Sequence, residues 1–155
     1  VYARFGFSDI LTCLLALDAY VELYHGGMVP IKEFAARPVH RDDRDILVRV
    51  VIKKDGRKAA YISQRNSSTD FPLLAVCAAN LGNQWFVSIG ARPAKAALVE
   101  FTEDNFDTIK EMAKQAADAV SYGDNTRGSG QYRHSLAVVY VRRLMERLKG
   151  RSVSR

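Results

Sequence analysis

The sequence predicts an α+β fold, in which antiparallel strands come first and most of the helix follows. Three observations predict it. Short β-branched or apolar runs punctuated by Gly, Asn and Asp fill the stretch from Ala19 to Ile89. Apolar stripes at helical spacing occupy one stretch near the N-terminus and two after Thr102. No internal repeat or low-complexity linker divides the chain.

Ser8-Asp9 opens the first helix, with Ile10, Leu11, Leu14, Leu15 and Leu17 as its apolar positions. A serine at the N-cap and an acid in the first turn satisfy and complement the free N–H groups there. Ala19–Tyr24 alternates as a strand, His25-Gly26-Gly27 turns it, and Met28–Ile31 returns. A helical turn, Ile31–Ala36, stops near Arg37-Pro38, because the residue before a proline avoids the helical region. His40–Asp45 reads as a charged loop and Ile46–Ile52 as a strand. Asp55-Gly56 is a hairpin signal leading into the strand Ala59–Gln64. After a polar loop, Arg65–Asp70, two strands, Leu73–Ala79 and Gln84–Ile89, meet at a tight turn. Thr102 is expected to cap a helix buried through Phe106, Ile109, Met112, Ala113, Ala116 and Val120. Tyr122–Gly130 is a loop. Ser129 or Gly130 then starts a last helix with Tyr132, Leu136, Val139, Tyr140, Leu144 and Leu148 on one side.

The chain has 155 residues, 48% hydrophobic and 26% charged, the balance of an ordinary water-soluble domain. Its longest apolar run, Ile10–Ala19, is interrupted by Thr12, Cys13 and Asp18, so no membrane span or secretory signal is expected. Cys13 and Cys77 sit in apolar contexts and read as two buried thiols in a reducing cytoplasm. The net charge of +6 is concentrated after Thr126, where eight basic residues face the single acid Glu146. Such a segment is a solvated helix face with a frayed tail, or a face that docks on an acidic partner. Without aromatic–basic interleaving, nucleic acid is not the expected partner.

The motifs for self-contained chemistry are missing. There is no GxGxxG and no phosphate-binding loop ending in Gly-Lys-Ser/Thr. Gly123–Gly130 suggests either an anion cradle at a helix N-terminus or a connector with a cap. His25, His40 and His134 lie far apart, without a nucleophile or acid at working spacing, and neither cysteine has metal-ligand spacing. Asp42/Asp43 and Glu103/Asp104 read as a loop cluster and a helix first turn rather than an acid–base pair.

Three ordered stretches nevertheless resemble one family, the FAD-binding (medium) subunit of molybdenum hydroxylases, which include xanthine and carbon monoxide dehydrogenases. Phe7–Leu23 resembles that family's "S-D-L…L-L-A-L-D-A-x-V-x-L" segment, and Ile46–Ile52 its "E-I-L-x-x-I-x-I-P", with Lys53 in place of proline. Ala60–Phe71, continued to Leu148, resembles the small C-terminal domain, closing on Asp124-Asn-Thr-Arg-Gly-Ser-Gly-Gln-Tyr-Arg133. The resemblance implies a remnant of the second FAD-binding subdomain over residues 1–54. It further implies a C-terminal domain over 59–150, with a three-stranded antiparallel sheet on two or three helices, and a disordered tail over 151–155. It implies FAD as cofactor, with the pyrophosphate held by glycine-rich loops that would precede Val1, so that the chain alone binds FAD weakly and is inactive. Asp9, with Ser8, is placed at a polar flavin contact, though the same pair also reads as an N-cap. Leu47, with Ile46, is placed against the flavin ring, though a β-branched strand also reads as core. Ser63 stands where many members carry a lysine. The implied partners are a large subunit with molybdopterin and a small subunit with 2Fe-2S clusters, in a xanthine dehydrogenase-like oxidoreductase passing electrons through FAD to NAD or another acceptor. The other reading of the chain is a non-catalytic subunit-docking module with a basic helix.

Overall fold

The structure, a computed structural model, describes residues 1–38 and 45–150. His40, Asp42, Asp43 and the tail 151–155 with Arg151 and Arg155 lie outside the described residues. The element order is α1 (Asp9–Ala16), β1 (Tyr20–Leu23), β2 (Gly27–Pro30), α2 (Ile31–Ala36), β3 (Leu47–Val51), β4 (Lys58–Gln64), β5 (Leu74–Leu81), β6 (Gln84–Gly90), β7 (Ala97–Thr102), a 3-10 turn at Glu103–Asn105, α3 (Ile109–Asp118) and α4 (Gly130–Leu148). The fold is α+β. Strands form an antiparallel three-stranded sheet in the order β2-β1-β3 and an antiparallel four-stranded sheet in the order β4-β5-β6-β7.

The second sheet has one strand more than the sequence reading allowed. Val99 pairs with Val87 and Phe101 with Trp85, so β7 continues the meander up to Thr102. Thr102 therefore ends a strand. The cap of α3 is Thr108, whose hydroxyl accepts from Glu111 N–H while the Glu111 carboxylate accepts from Thr108 N–H. Asp55-Gly56 does not close a hairpin either. β3 pairs with β1 and β4 with β5, so this turn, with Gly56 at φ +82°, passes the chain from one sheet to the other.

Alternation along β5 and β6 gives the four-stranded sheet two buried faces. Leu74, Val76, Ala78, Trp85, Val87 and Ile89 pack against α3 and α4, where Ile109, Met112, Ala113, Ala116, Tyr140, Val141, Leu144 and Met145 close the main core. On α4 the buried stripe runs through Arg133, Ala137 and Tyr140, and Tyr132 is exposed rather than on the inner side. On the opposite face, Cys77, Ala79 and Phe86 meet Cys13 and Ala16 of α1. The other side of α1, through Leu11, Leu14 and Leu15, packs on Val21, Leu23 and Val29 of the three-stranded sheet and on Phe34 of α2. The helix thus lies between two sheets, which explains why its sequence is apolar nearly all round. Among the described residues no helix is long and apolar enough to cross a membrane.

Candidate functional site

Ser8 ends the N-terminal loop in an extended conformation (φ −76°, ψ 111°), and its hydroxyl accepts from Leu11 N–H at 3.1 Å. A cap of this kind contributes about 1 kcal/mol and fixes where Asp9 emerges. The Asp9 carboxylate then reaches the four-stranded sheet. One oxygen accepts from the Tyr61 hydroxyl and the other from Arg65 Nη2 at 2.6 Å. Burial, with this bond in second place, pushes the Tyr61 phenol up to about 12.

Arg65 is held on three sides. Besides Asp9, its guanidinium donates to the Asp70 carbonyl at 2.6 Å and to the Ser63 hydroxyl at 3.2 Å. Asp70 in turn accepts from Arg127 at 2.8 Å and from Phe71 N–H at 2.7 Å, and the Arg127 bond holds its carboxyl below the usual carboxylate range. Charges alternate along this line, Asp9, Arg65, Asp70, Arg127, and join α1 to the loop before α4.

Beside the line lies a cleft of about 360 Å³ whose lining includes Phe7, Phe71, Pro93, Lys95 and Arg127. Two aromatic rings, Phe7 and Phe71, belong to that lining, and Phe5 extends the row. Phe5 stacks on Phe7 (centroids 5.2 Å apart, 9° between planes), and Phe7 meets Phe71 at 4.3 Å. All three are exposed. The far wall is held close by backbone contacts. Ala91, left-handed at φ +58°, donates to the Gly6 carbonyl at 2.9 Å, and a Cβ on Gly6 would meet the Ala94 carbonyl at 2.9 Å.

Of the other two expected residues, Leu47 opens β3 of the three-stranded sheet and Ile46 immediately precedes it. Ile46 is 66% exposed, and Leu47 is half-buried against the core of that sheet, opposite Leu23. Asp45 secures this end. Its carboxylate accepts from the N–H groups of His25, Gly26 and Ile46 at 2.8–2.9 Å, bonds that hold its carboxyl below the ordinary range. The structure therefore brings together Ser8, Asp9 and, through Arg65, Ser63, and sets Ile46 and Leu47 at the neighbouring sheet. Tyr61, Arg65 and Asp70 were not singled out from the sequence, although all three fall in the Ala60–Phe71 stretch that carries the third resemblance.

Gly123–Gly130 proves to be a connector with its own cap. Asp124 accepts from Gly130 N–H at 2.6 Å, and Ser129 accepts from Tyr132 N–H at 3.1 Å, so the chain itself supplies the anion at the start of α4. Buried Arg133 organises the loop from inside, donating to the carbonyls of Leu73 (2.9 Å), Gly123 (2.7 Å) and Gly128 (2.5 Å) and to the Asn125 side chain (2.6 Å).

The order of helices and sheets described above recurs in solved structures. The chain is similar over 96% of its length to quinoline 2-oxidoreductase from Pseudomonas putida 86, at a TM-score of 0.74 and 18% identity. It is similar over 97% to a Cu,Mo-CO dehydrogenase in its cyanide-inactivated form (TM-score 0.75, 16% identity). The same share overlays carbon monoxide dehydrogenase from Hydrogenophaga pseudoflava, in a form lacking the Mo-pyranopterin moiety of the molybdenum cofactor (0.71, 17%). In each case it spans 59% of the solved chain. At these identities the likeness is one of fold. No protein-family model matches the chain, and no curated protein does.

Proposed function

We propose that the chain is part of the FAD-carrying subunit of a molybdenum hydroxylase, an oxidoreductase of the xanthine dehydrogenase kind. The observation that carries this reading is the shared fold over 96% of the chain with quinoline 2-oxidoreductase, on top of three sequence stretches in the family's order. FAD, when bound, supplies a carrier that takes electrons from iron–sulfur clusters and gives them to NAD or another acceptor. The residues present suit a flavin in kind. The cleft offers exposed aromatic faces and two cations, Lys95 and Arg127. Asp9 has one partner on each oxygen, and a carboxylate oxygen takes more than one, so it retains capacity for a ribityl hydroxyl or a ring N–H. Ser8 stands beside it, and Ile46 and Leu47 would present an apolar surface. Position 63 lacks the family's lysine, and Arg65, bonded to Ser63, would supply the cation in its place.

In this reading the grip on the pyrophosphate falls to residues outside the chain, so the isolated chain binds FAD weakly and catalyses nothing. The partners are a molybdopterin-bearing large subunit and a small subunit with 2Fe-2S clusters, in the cytoplasm. The test is to purify the complete subunit with and without Asp9→Ala. The unaltered subunit should carry oxidised-flavin absorption that dithionite bleaches, and the variant should carry less. A complete subunit that holds no flavin and takes up none when incubated with FAD overturns the proposal.

A second reading, subunit docking, is favoured by α4. Arg142, Arg143 and Arg147 are exposed, while Val141, Leu144 and Met145 are buried on the other side of the helix. Changing all three arginines to glutamate should abolish co-purification with the partner subunits and leave flavin content unchanged. Unaltered co-purification would make this face simple solvated surface.

A further inference from the structure

Cys13 and Cys77 stand sixty-four positions apart in the chain, yet fold into one cluster between α1 and β5. Cys13 lies one turn along α1 from Asp9 and is half-buried, whereas Cys77 is 2% exposed in the middle of β5. The helix approaches the strand closely there because the neighbouring contacts are made by small residues, Ala16 and Ala79. The neighbouring Cys77 draws the Cys13 thiol below its ordinary value, while Cys13 and burial push the Cys77 thiol up. Beside Cys77 in register is Ser88, wholly buried, whose hydroxyl lacks a hydrogen-bond partner. Apolar packing does not account for the Ser88 hydroxyl.

We propose that Cys13 and Cys77 form an oxidant-sensitive dithiol that closes to an intramolecular disulfide in the presence of a peroxide, tying α1 to β5. The thiolate of Cys13, the more accessible of the two, attacks one peroxide oxygen. The O–O bond breaks, water leaves after taking up the proton, and Cys13 becomes a sulfenic acid. The Cys77 sulfur then attacks the Cys13 sulfur. The S–S bond forms, the S–O bond breaks, and a second water carries away the hydroxyl with the Cys77 proton. Two thiols lose two electrons, and one peroxide is reduced to two waters. The staple holds α1 against the strand next to Tyr61, so it fixes the helix end from which Asp9 reaches Tyr61 and Arg65. This inference is independent of the flavin reading.

The experiment treats the native chain with hydrogen peroxide, quenches, unfolds and alkylates it with N-ethylmaleimide, followed by intact mass and peptide mapping. The expected product is a monomer two hydrogens lighter, closed to alkylation until dithiothreitol is added, with the Cys13 and Cys77 peptides joined. Its thermal midpoint should rise and return on reduction, because the bond constrains the unfolded chain. In Cys13→Ser, at the half-exposed position, and in Cys77→Ala, the rise should vanish, with Cys13 in the latter passing to sulfenic and sulfinic acid. Full alkylation after peroxide, a disulfide between two chains, or an equal rise in Cys13→Ser overturns the proposal.

Discussion

Thr12 of α1 and Gly90 of β6 are so close that a Cβ on the glycine would lie 2.3 Å from the threonine hydroxyl. The helix therefore lies against its sheet through a position that has no side chain to give. The Thr12 hydroxyl is meanwhile committed to the Ser8 carbonyl at 2.9 Å, so it does not swing away freely.

Gly90→Ala should accordingly destabilise the protein by about 1–3 kcal/mol, the usual cost of overpacking. Thr12→Ala removes the oxygen and leaves the next contacts at 3.3 and 3.5 Å. The double variant should recover most of the loss, and a double-mutant cycle from urea unfolding measures the coupling. Simple additivity of the two changes would show that the helix shifts instead.

Tyr61 predicts an alkaline limb of stability. Its folded value of about 12 exceeds the ordinary 10.0. A raised value favours the protonated form in the folded state, so the contribution is complete below pH 10 and is lost as the pH rises to about 12. Tyr61→Phe should flatten that part of the stability curve, leaving the share of Tyr122, whose phenol burial also pushes up. Thermal midpoints across this window provide the check.

Arg133→Lys should cost roughly 2–4 kcal/mol, because an ammonium cannot reproduce a planar fork serving three carbonyls and an amide, and buried acceptors would lose their donors. Urea midpoints measure the loss. Amide exchange should accelerate first around Asn125 and Gly128, where the guanidinium makes its local bonds.

Thr108→Ala removes one half of a reciprocal cap and should cost about 1 kcal/mol. Faster amide exchange at Glu111, whose N–H loses its acceptor, locates the effect.

Local signals were legible wherever one residue settles one bond. Ser8 announced α1, and the β-branched run Ile46–Ile52 announced β3, which spans Leu47–Val51. Thr108-Ile-Lys-Glu111 also carried its capping box openly, but Thr102, of the same residue type and followed by acids, drew the helix start too early and concealed β7. Asp55-Gly56 shows the limit of a local signal. It specifies a turn, while the choice of strand partners belongs to burial on both sides of the second sheet. Asp9 was visible as a cap residue and by resemblance, but its ties to Tyr61 and Arg65 span more than fifty positions and follow from no spacing rule. The thiol pair was missed for the same reason.

The position of α1 between two sheets has a consequence for the growing chain. Its partners in the first sheet follow within about forty residues, but those in β5 and β6 emerge only after residue 73. Until then the side with Cys13 and Ala16 faces solvent or a chaperone, and the helix cannot reach its final burial before the later strands arrive. A ribosome stalled with only the first sheet exposed should therefore present a sticky helix, and that patch should disappear once β6 has cleared the exit tunnel.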